Sequence, residues 1–185
     1  SFPDVLFESC SSGGGRYDAG MLYYMPQTWT SDNTDAISRL KIQYGNSMVY
    51  PAVSMGAHVS GIPNHQVSRS TPLDTRAHVA MSGNLGYELD LTKLSPEEKA
   101  SVKSQVALYK EIRPLIQFGE FYRILSPFEG NETAWTFVSD DRQEAVLAFF
   151  RVLSQPGERI PVLKCKGLNP AYLYRHHETG RVYGG

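Results

Sequence analysis

The chain has 185 residues, 41% of them hydrophobic, and sets 18 Lys and Arg against 19 Asp and Glu, which suits one domain or one domain and the start of another. So even a charge balance offers no basic surplus, and neither nucleic acid nor an anionic membrane is expected as a partner. No apolar run is long enough to cross a bilayer. Phe2-Pro3-Asp4 puts an acid where a secretory signal would be basic, and two cysteines, Cys10 and Cys165, fit a reducing cytoplasm. Ser1 in place of Met and the strand-like Arg181-Val182-Tyr183 before Gly184-Gly185 read as cut ends of a longer protein.

Taken in order, the first 118 residues alternate short apolar runs with helical patterns, as βα units of a parallel sheet do. Val5-Leu6-Phe7 is predicted as a buried strand, followed by a loop from Cys10 to Gly15 and a short helix from Asp18 to Tyr24. Gln27-Thr28-Trp29 is the second strand. Ile37, Leu40 and Tyr44 then repeat at helical spacing, with Gly45 as the residue that ends the helix. Ala52 to Met55 is the third predicted strand, and Thr71-Pro72-Leu73-Asp74 opens a helix with Thr71 as cap. Gly86 to Leu91 is the fourth strand. Ser95-Pro96-Glu97-Glu98 carries a capping box, and Pro114 is expected to kink or end the helix that follows.

From Glu120 the pattern changes to short strands parted by turn residues: 121–124, 133–138, 145–150, 172–174 and 181–183. The expected architecture is therefore α/β: four βα units over residues 1–118, half of an eight-stranded barrel, and an unfinished antiparallel β module over 119–185. In such barrels the chemistry sits on loops after the strands' carboxyl ends.

Two of those loops carry candidate chemistry. Glu8-Ser9-Cys10-Ser11-Ser12-Gly13-Gly14-Gly15-Arg16 lets backbone N–H groups approach a polar ligand, but lacks the Lys-Ser/Thr ending of a phosphate loop. Cys10 as a nucleophile would need a basic partner, and sequence places none of His58, His65 or His78 beside it. A tight turn with a buried thiol is the plainer reading. After the second strand comes Trp29-Thr30-Ser31-Asp32-Asn33-Thr34-Asp35. An indole beside a carboxylate suits sugar binding and acid catalysis. Asp35 is placed to cap the next helix, which leaves Asp32 free to face the mouth of the sheet. Both as solvated or capping residues is the alternative that the pattern alone leaves open. No His, Cys, Asp or Glu spacing suggests a metal, and His176-His177 falls on a strand of the β module, where neighbours face opposite ways.

The run Phe7-Glu8-Ser9-Cys10-Ser11-Ser12-Gly13-Gly14-Gly15-Arg16-Tyr17-Asp18, with Met21-Leu22-Tyr23-Tyr24-Met25-Pro26-Gln27-Thr28-Trp29-Thr30-Ser31-Asp32, closely resembles the microbial α-galactosidases of glycoside hydrolase family 36. The likeness continues through Arg39 to Gly45, Gly56 to Ser60, Leu73 to His78 and Gly86 to Asp90. It implies a retaining enzyme that removes terminal α-linked galactose from melibiose- or raffinose-type sugars, without metal or organic cofactor. It further implies Asp32 as general acid/base, Cys10 and Gly13 as sugar contacts beside Trp29, and a homo-oligomer when complete. Asn33 stands where many relatives carry a second Asp. The family's nucleophile is the Asp of a Lys-Trp-Asp segment, which this chain lacks. The resemblance thus implies that residues 1–118 are about the last four βα units of a (β/α)8 TIM barrel and 119–185 the beginning of a C-terminal antiparallel β-sandwich domain. It points to a missing N-terminal part of the same protein that holds the nucleophile, and to an isolated chain without activity. A galactosyl-transferring relative of the raffinose synthase type and a non-catalytic carbohydrate-binding protein are the alternatives.

Overall fold

The computed structural model describes residues 2–15, 17–154, 156–157 and 162–185, and the chain divides into two units, Ser1–Arg113 and Pro114–Gly185. In the first unit, strand β1 (Glu8–Ser9) leads into a single turn, α1 (Ser11–Gly14), and the short helix α2 (Ala19–Tyr24). Strand β2 (Gln27–Trp29) is followed by α3 (Ala36–Asn46), β3 (Met55–Ser60) by α4 (Leu73–Ala80), and β4 (Asn84–Glu88) by α5 (Pro96–Phe118). The four strands lie side by side in chain order, all parallel, with Glu8 opposite Gln27, Thr28 opposite Met55 and Gly56 opposite Asn84. Each strand end therefore opens toward the same edge of the sheet.

Strand alternation sorts β3 into two faces. Ala57 and Val59 are fully buried and pack with Ala77, Ala80 and Met81 of the α4 region and Tyr109 of α5. Small side chains at 57, 77 and 80 let helix and sheet approach closely. Tyr109 then ties α5 to the start of β4, donating to Gly83 O at 2.7 Å and accepting from Leu85 N–H at 3.3 Å. On the opposite face a polar row crosses the strands. Asn84 Nδ2 donates to Gln27 Oε1 at 2.8 Å and to Val53 O at 2.6 Å, and Gln27 Nε2 donates to Glu8 Oε2.

Several elements differ from the sequence expectation. Val5, Leu6 and Phe7 are exposed at 50%, 86% and 48%, and the first strand begins after them at Glu8. Ala52–Ser54 forms a 3-10 turn, held by Ser54 N–H and Oγ donating to Pro51 O at 3.0 and 2.7 Å, so the third strand starts at Met55. Gly45 lies within α3, whose end is made by Ser47 N–H donating to Gln43 O at 3.0 Å. Thr71 does not cap α4: Pro72 occupies the cap position without a side-chain bond, and the Thr71 carbonyl accepts from Arg76 Nε at 3.1 Å. The fourth strand ends at Glu88, three residues early, and Leu91–Lys93 makes another 3-10 turn. Helix α5 runs through Pro114 to Phe118. Its capping box forms as predicted, Glu98 N–H donating to Ser95 Oγ at 3.2 Å and Ser95 N–H to Glu98 Oε2 at 2.9 Å.

In the second unit, β5 (Glu120–Leu125), β6 (Glu132–Val138) and β7 (Ala145–Arg151) form an antiparallel meander with β6 central. Residues 133–138 of β6 are all buried, with Phe137 ring to ring against Phe121 at 4.8 Å and Trp135 against Phe150 at 5.5 Å. A separate hairpin joins β8 (Leu173–Arg175) to β9 (Val182–Gly184). His176 and His177 sit in its turn and not on a strand, His176 Nδ1 lying 2.9 Å from Thr179 Oγ1.

Candidate active site

The exits of β1 and β2 meet. After β1 the chain doubles back, with Gly14 N–H donating to Cys10 O at 2.7 Å. Ser12, Gly13 and Gly14 take φ of +57°, +75° and +89°, the left-handed region that glycine tolerates. Space also demands glycine. A Cβ on Gly14 would stand 2.8 Å from Thr30 O and 3.0 Å from Trp29 O, and one on Gly13 3.0 Å from Asp32 N. The glycine loop therefore presses on the β2 exit, Gly14 against Trp29 and Thr30 and Gly13 against Asp32.

Asp32 is exposed, and its Oδ1 accepts from Trp29 Nε1–H at 3.2 Å. Two tight turns set its direction: Ser31 Oγ accepts from Asn33 N–H, and Asn33 Oδ1 from Asp35 N–H, both at 3.1 Å. They turn Asp35 the other way. Asp35 is buried as the cap of α3, its Oδ2 accepting from Ser38 N–H and Oγ at 2.9 Å each and from Arg69 Nη1 at 2.5 Å. Two neighbouring acids thus have separate environments, one open and one structural.

Trp29 is 8% exposed. Its ring carries the Arg39 guanidinium 4.4 Å over its centroid and the His58 ring at 4.4 Å, while Gly56 leaves room along the Cε3 edge. Little of its face remains for a pyranose. His58 Nδ1 lies 3.3 Å from Glu88 Oε2 at the exit of β4. The loop after β3 is fastened to the same region: Ser60 Oγ donates to Thr34 O at 3.2 Å and Asn64 Nδ2 to Thr34 Oγ1 at 3.0 Å.

Asp32, Gly13 and Trp29 are therefore neighbours. Cys10 belongs to the same turn through its carbonyl; its thiol is free and exposed, not buried as a plain tight turn would have it, with no hydrogen bond to a histidine among the described residues. No three His, Cys, Asp or Glu converge as a metal site among the described residues, and no described helix is long and apolar enough to span a membrane. Sequence reasoning missed Arg39 and the His58–Glu88 pair. The signal for Arg39 was present: it falls with Ala36, Leu40 and Gln43 on one buried stripe of α3, where a charge is out of place.

A parallel βα sheet with its glycine loop and acid-bearing loop at the carboxyl ends of neighbouring strands is where enzymes of this architecture place their reactive groups. The family described as Melibiase matches residues 1–119, and that described as Glycosyl hydrolase family 36 C-terminal domain matches residues 132–185. Alpha-galactosidase AgaA of Geobacillus stearothermophilus is 65% identical over 184 residues, and alpha-galactosidase 1 of Pediococcus pentosaceus is 54% identical over 185. All of this chain takes part in both matches, against 25% of each relative. The crystal structure of AgaA superposes with a TM-score of 0.97 over 100% of this chain and 26% of that one, at 65% identity. An AgaA variant in complex with raffinose gives 0.97 over 99% and 25%, at 64%. The chain belongs to glycoside hydrolase family 36. It spans about a quarter of the length of the curated relatives it matches.

Proposed function

We propose that this chain is the acid/base-bearing part of a longer retaining α-galactosidase that cleaves terminal α-linked galactose from raffinose- or melibiose-type oligosaccharides. Residues 1–118 are then the C-terminal half of a catalytic (β/α)8 barrel, and 119–185 the beginning of a C-terminal antiparallel β domain. The observation that carries the reading is the meeting of Gly13, Trp29 and Asp32 at the strand ends of a chain whose relatives are named α-galactosidases.

In this mechanism Asp32 gives its proton to the departing glycosidic oxygen while a second carboxylate attacks the anomeric carbon. The now ionised Asp32 takes a proton from water, which displaces that carboxylate and restores the α configuration. Trp29 Nε1–H on Oδ1 leaves Oδ2 for the proton in transit. The second carboxylate must lie about 5–5.5 Å away, and we assign it to a part of the protein outside these residues. Cys10 and Gly13 are assigned to the galactose subsite. Trp29 bounds that subsite and acts more through Asp32 than through its covered face. Two free thiols fit a reducing cytoplasm, and the same reading includes a homo-oligomer of the full-length protein.

Asp32→Ala in the full-length protein tests this. Turnover of raffinose, whose leaving alcohol needs a proton, should fall about 10²–10⁴-fold. An activated aryl α-galactoside should still load the enzyme, and azide should release the loaded sugar as an α-galactosyl azide. Equal losses on both substrates with no azide effect would move the role to another residue.

A further inference from the structure

Arg39 lies beneath the acid/base segment and has no part in the chemistry above. It is 1% exposed, and no carboxylate makes a salt bridge with it among the described residues. A buried guanidinium without such a partner is expensive, and its contacts indicate what holds it there. Nη1 donates to Thr30 Oγ1 at 2.5 Å, Nη2 to Ser31 O at 2.6 Å, and its plane carbon stands 4.4 Å over the Trp29 ring. Nε has no hydrogen-bond partner among the described residues. All three contacts fall on the three residues before Asp32, and the first of these, Trp29, hydrogen-bonds Asp32 itself.

We propose that Arg39 is a positioning residue for Asp32, clamping Trp29, Thr30 and Ser31 in one geometry. This rests on the reading of Asp32 as acid/base. Only a planar fork can bind Thr30 Oγ1 and Ser31 O together while lying on an indole; lysine can supply the charge alone. The ionisable groups around it are Asp32 after β2, Glu88 at the end of β4, His58 of β3 against Glu88, and the Asp35–Arg69 pair at the cap of α3. Burial pushes the Arg39 pKa down to about 10, against the pull of Glu88 and Asp32, so it stays a cation through neutral pH.

The test uses Arg39→Met and Arg39→Lys in the full-length protein, with raffinose and an aryl α-galactoside. For Arg39→Met, kcat/KM on raffinose should fall at least about tenfold further than on the aryl substrate, because only raffinose needs the positioned proton. Arg39→Lys, which keeps the charge and loses the fork, should show the same unequal loss, and it carries the test alone if Arg39→Met does not fold. Equal losses on both substrates, or a full raffinose rate in Arg39→Lys, would overturn the proposal. Azide rescue of Asp32→Ala, run alongside, separates the two failures. With rescue present, only the role of Arg39 falls; with rescue absent, the acid/base assignment falls first.

Discussion

Gly13 stands against Asp32 so closely that a Cβ built on it would lie 3.2 Å from Asp32 Cγ and 3.3 Å from Oδ2, the carboxylate oxygen that Trp29 does not bind. The glycine therefore keeps space at the oxygen that would carry the mobile proton.

Gly13→Ala should harm catalysis and cost some stability. Its φ of +75° adds about 1 kcal/mol of backbone strain for alanine, and the methyl would stand 3.0 Å from the Asp32 backbone N and 3.3 Å from Oδ2, pushing on the segment that carries the acid. Raffinose turnover in the full-length protein should drop at least about tenfold, with some fall in Tm. Gly14→Ala meets a backbone oxygen closer still, at 2.8 Å, so Tm should suffer more there. A Gly13→Ala enzyme with the wild-type raffinose rate would separate this loop from the acid.

Asp35→Ala should show the opposite balance. The carboxylate caps α3 and holds Arg69, yet its oxygens turn away from the exposed face of Asp32. Losing the cap should lower stability by about 1–2 kcal/mol. The raffinose-to-aryl rate ratio should stay close to wild type, because Asp32, the proposed proton donor, is intact. A shift of that ratio as large as that of Asp32→Ala would exchange the roles of the two acids.

Alkaline stability should be governed in part by Tyr17, Tyr87 and Tyr109. Burial raises all three pKa values, Tyr109 donating to Gly83 O while Leu85 N–H on its oxygen works against the rise. A folded pKa above the unfolded one means that the stabilisation is complete below about pH 10 and is lost as pH climbs through the folded values. Thermal midpoints of the full-length protein should thus hold up to about pH 10 and fall beyond it. Tyr109→Phe should lower Tm at neutral pH and flatten the alkaline fall. An equally steep fall in that variant would count against Tyr109.

Which parts of this were legible in the sequence follows from where the deciding contacts lie. The capping box of α5 and the strand Gln27–Trp29 are set by residues a few positions apart, and both appear where the pattern put them. The shift of the third strand from 52–55 to Met55–Ser60 has a different origin. Gly56, Ala57 and His58 are poor strand formers, and they are held in the sheet by pairing with Asn84, Leu85 and Gly86. The same holds at the site. Gly13 and Asp32 each stand out in a local motif; Arg39 is marked in the sequence only as a charge on a buried stripe, and what it holds shows once α3 folds back under Trp29.

The row Asn84, Gln27, Glu8 has a direction. Asn84 spends both amide protons, on Gln27 Oε1 and Val53 O, and Gln27 passes its own to a carboxylate that can only accept. Turning either amide over would set oxygen against oxygen, so the row reads one way, from β4 toward β1. It works like the teeth of a key cut across the strands: a slip of any one strand would misalign a tooth. The glycine loop and the acid loop, so close that a Cβ on Gly13 would lie 3.0 Å from Asp32 N, are kept in step by a lock several residues upstream of both.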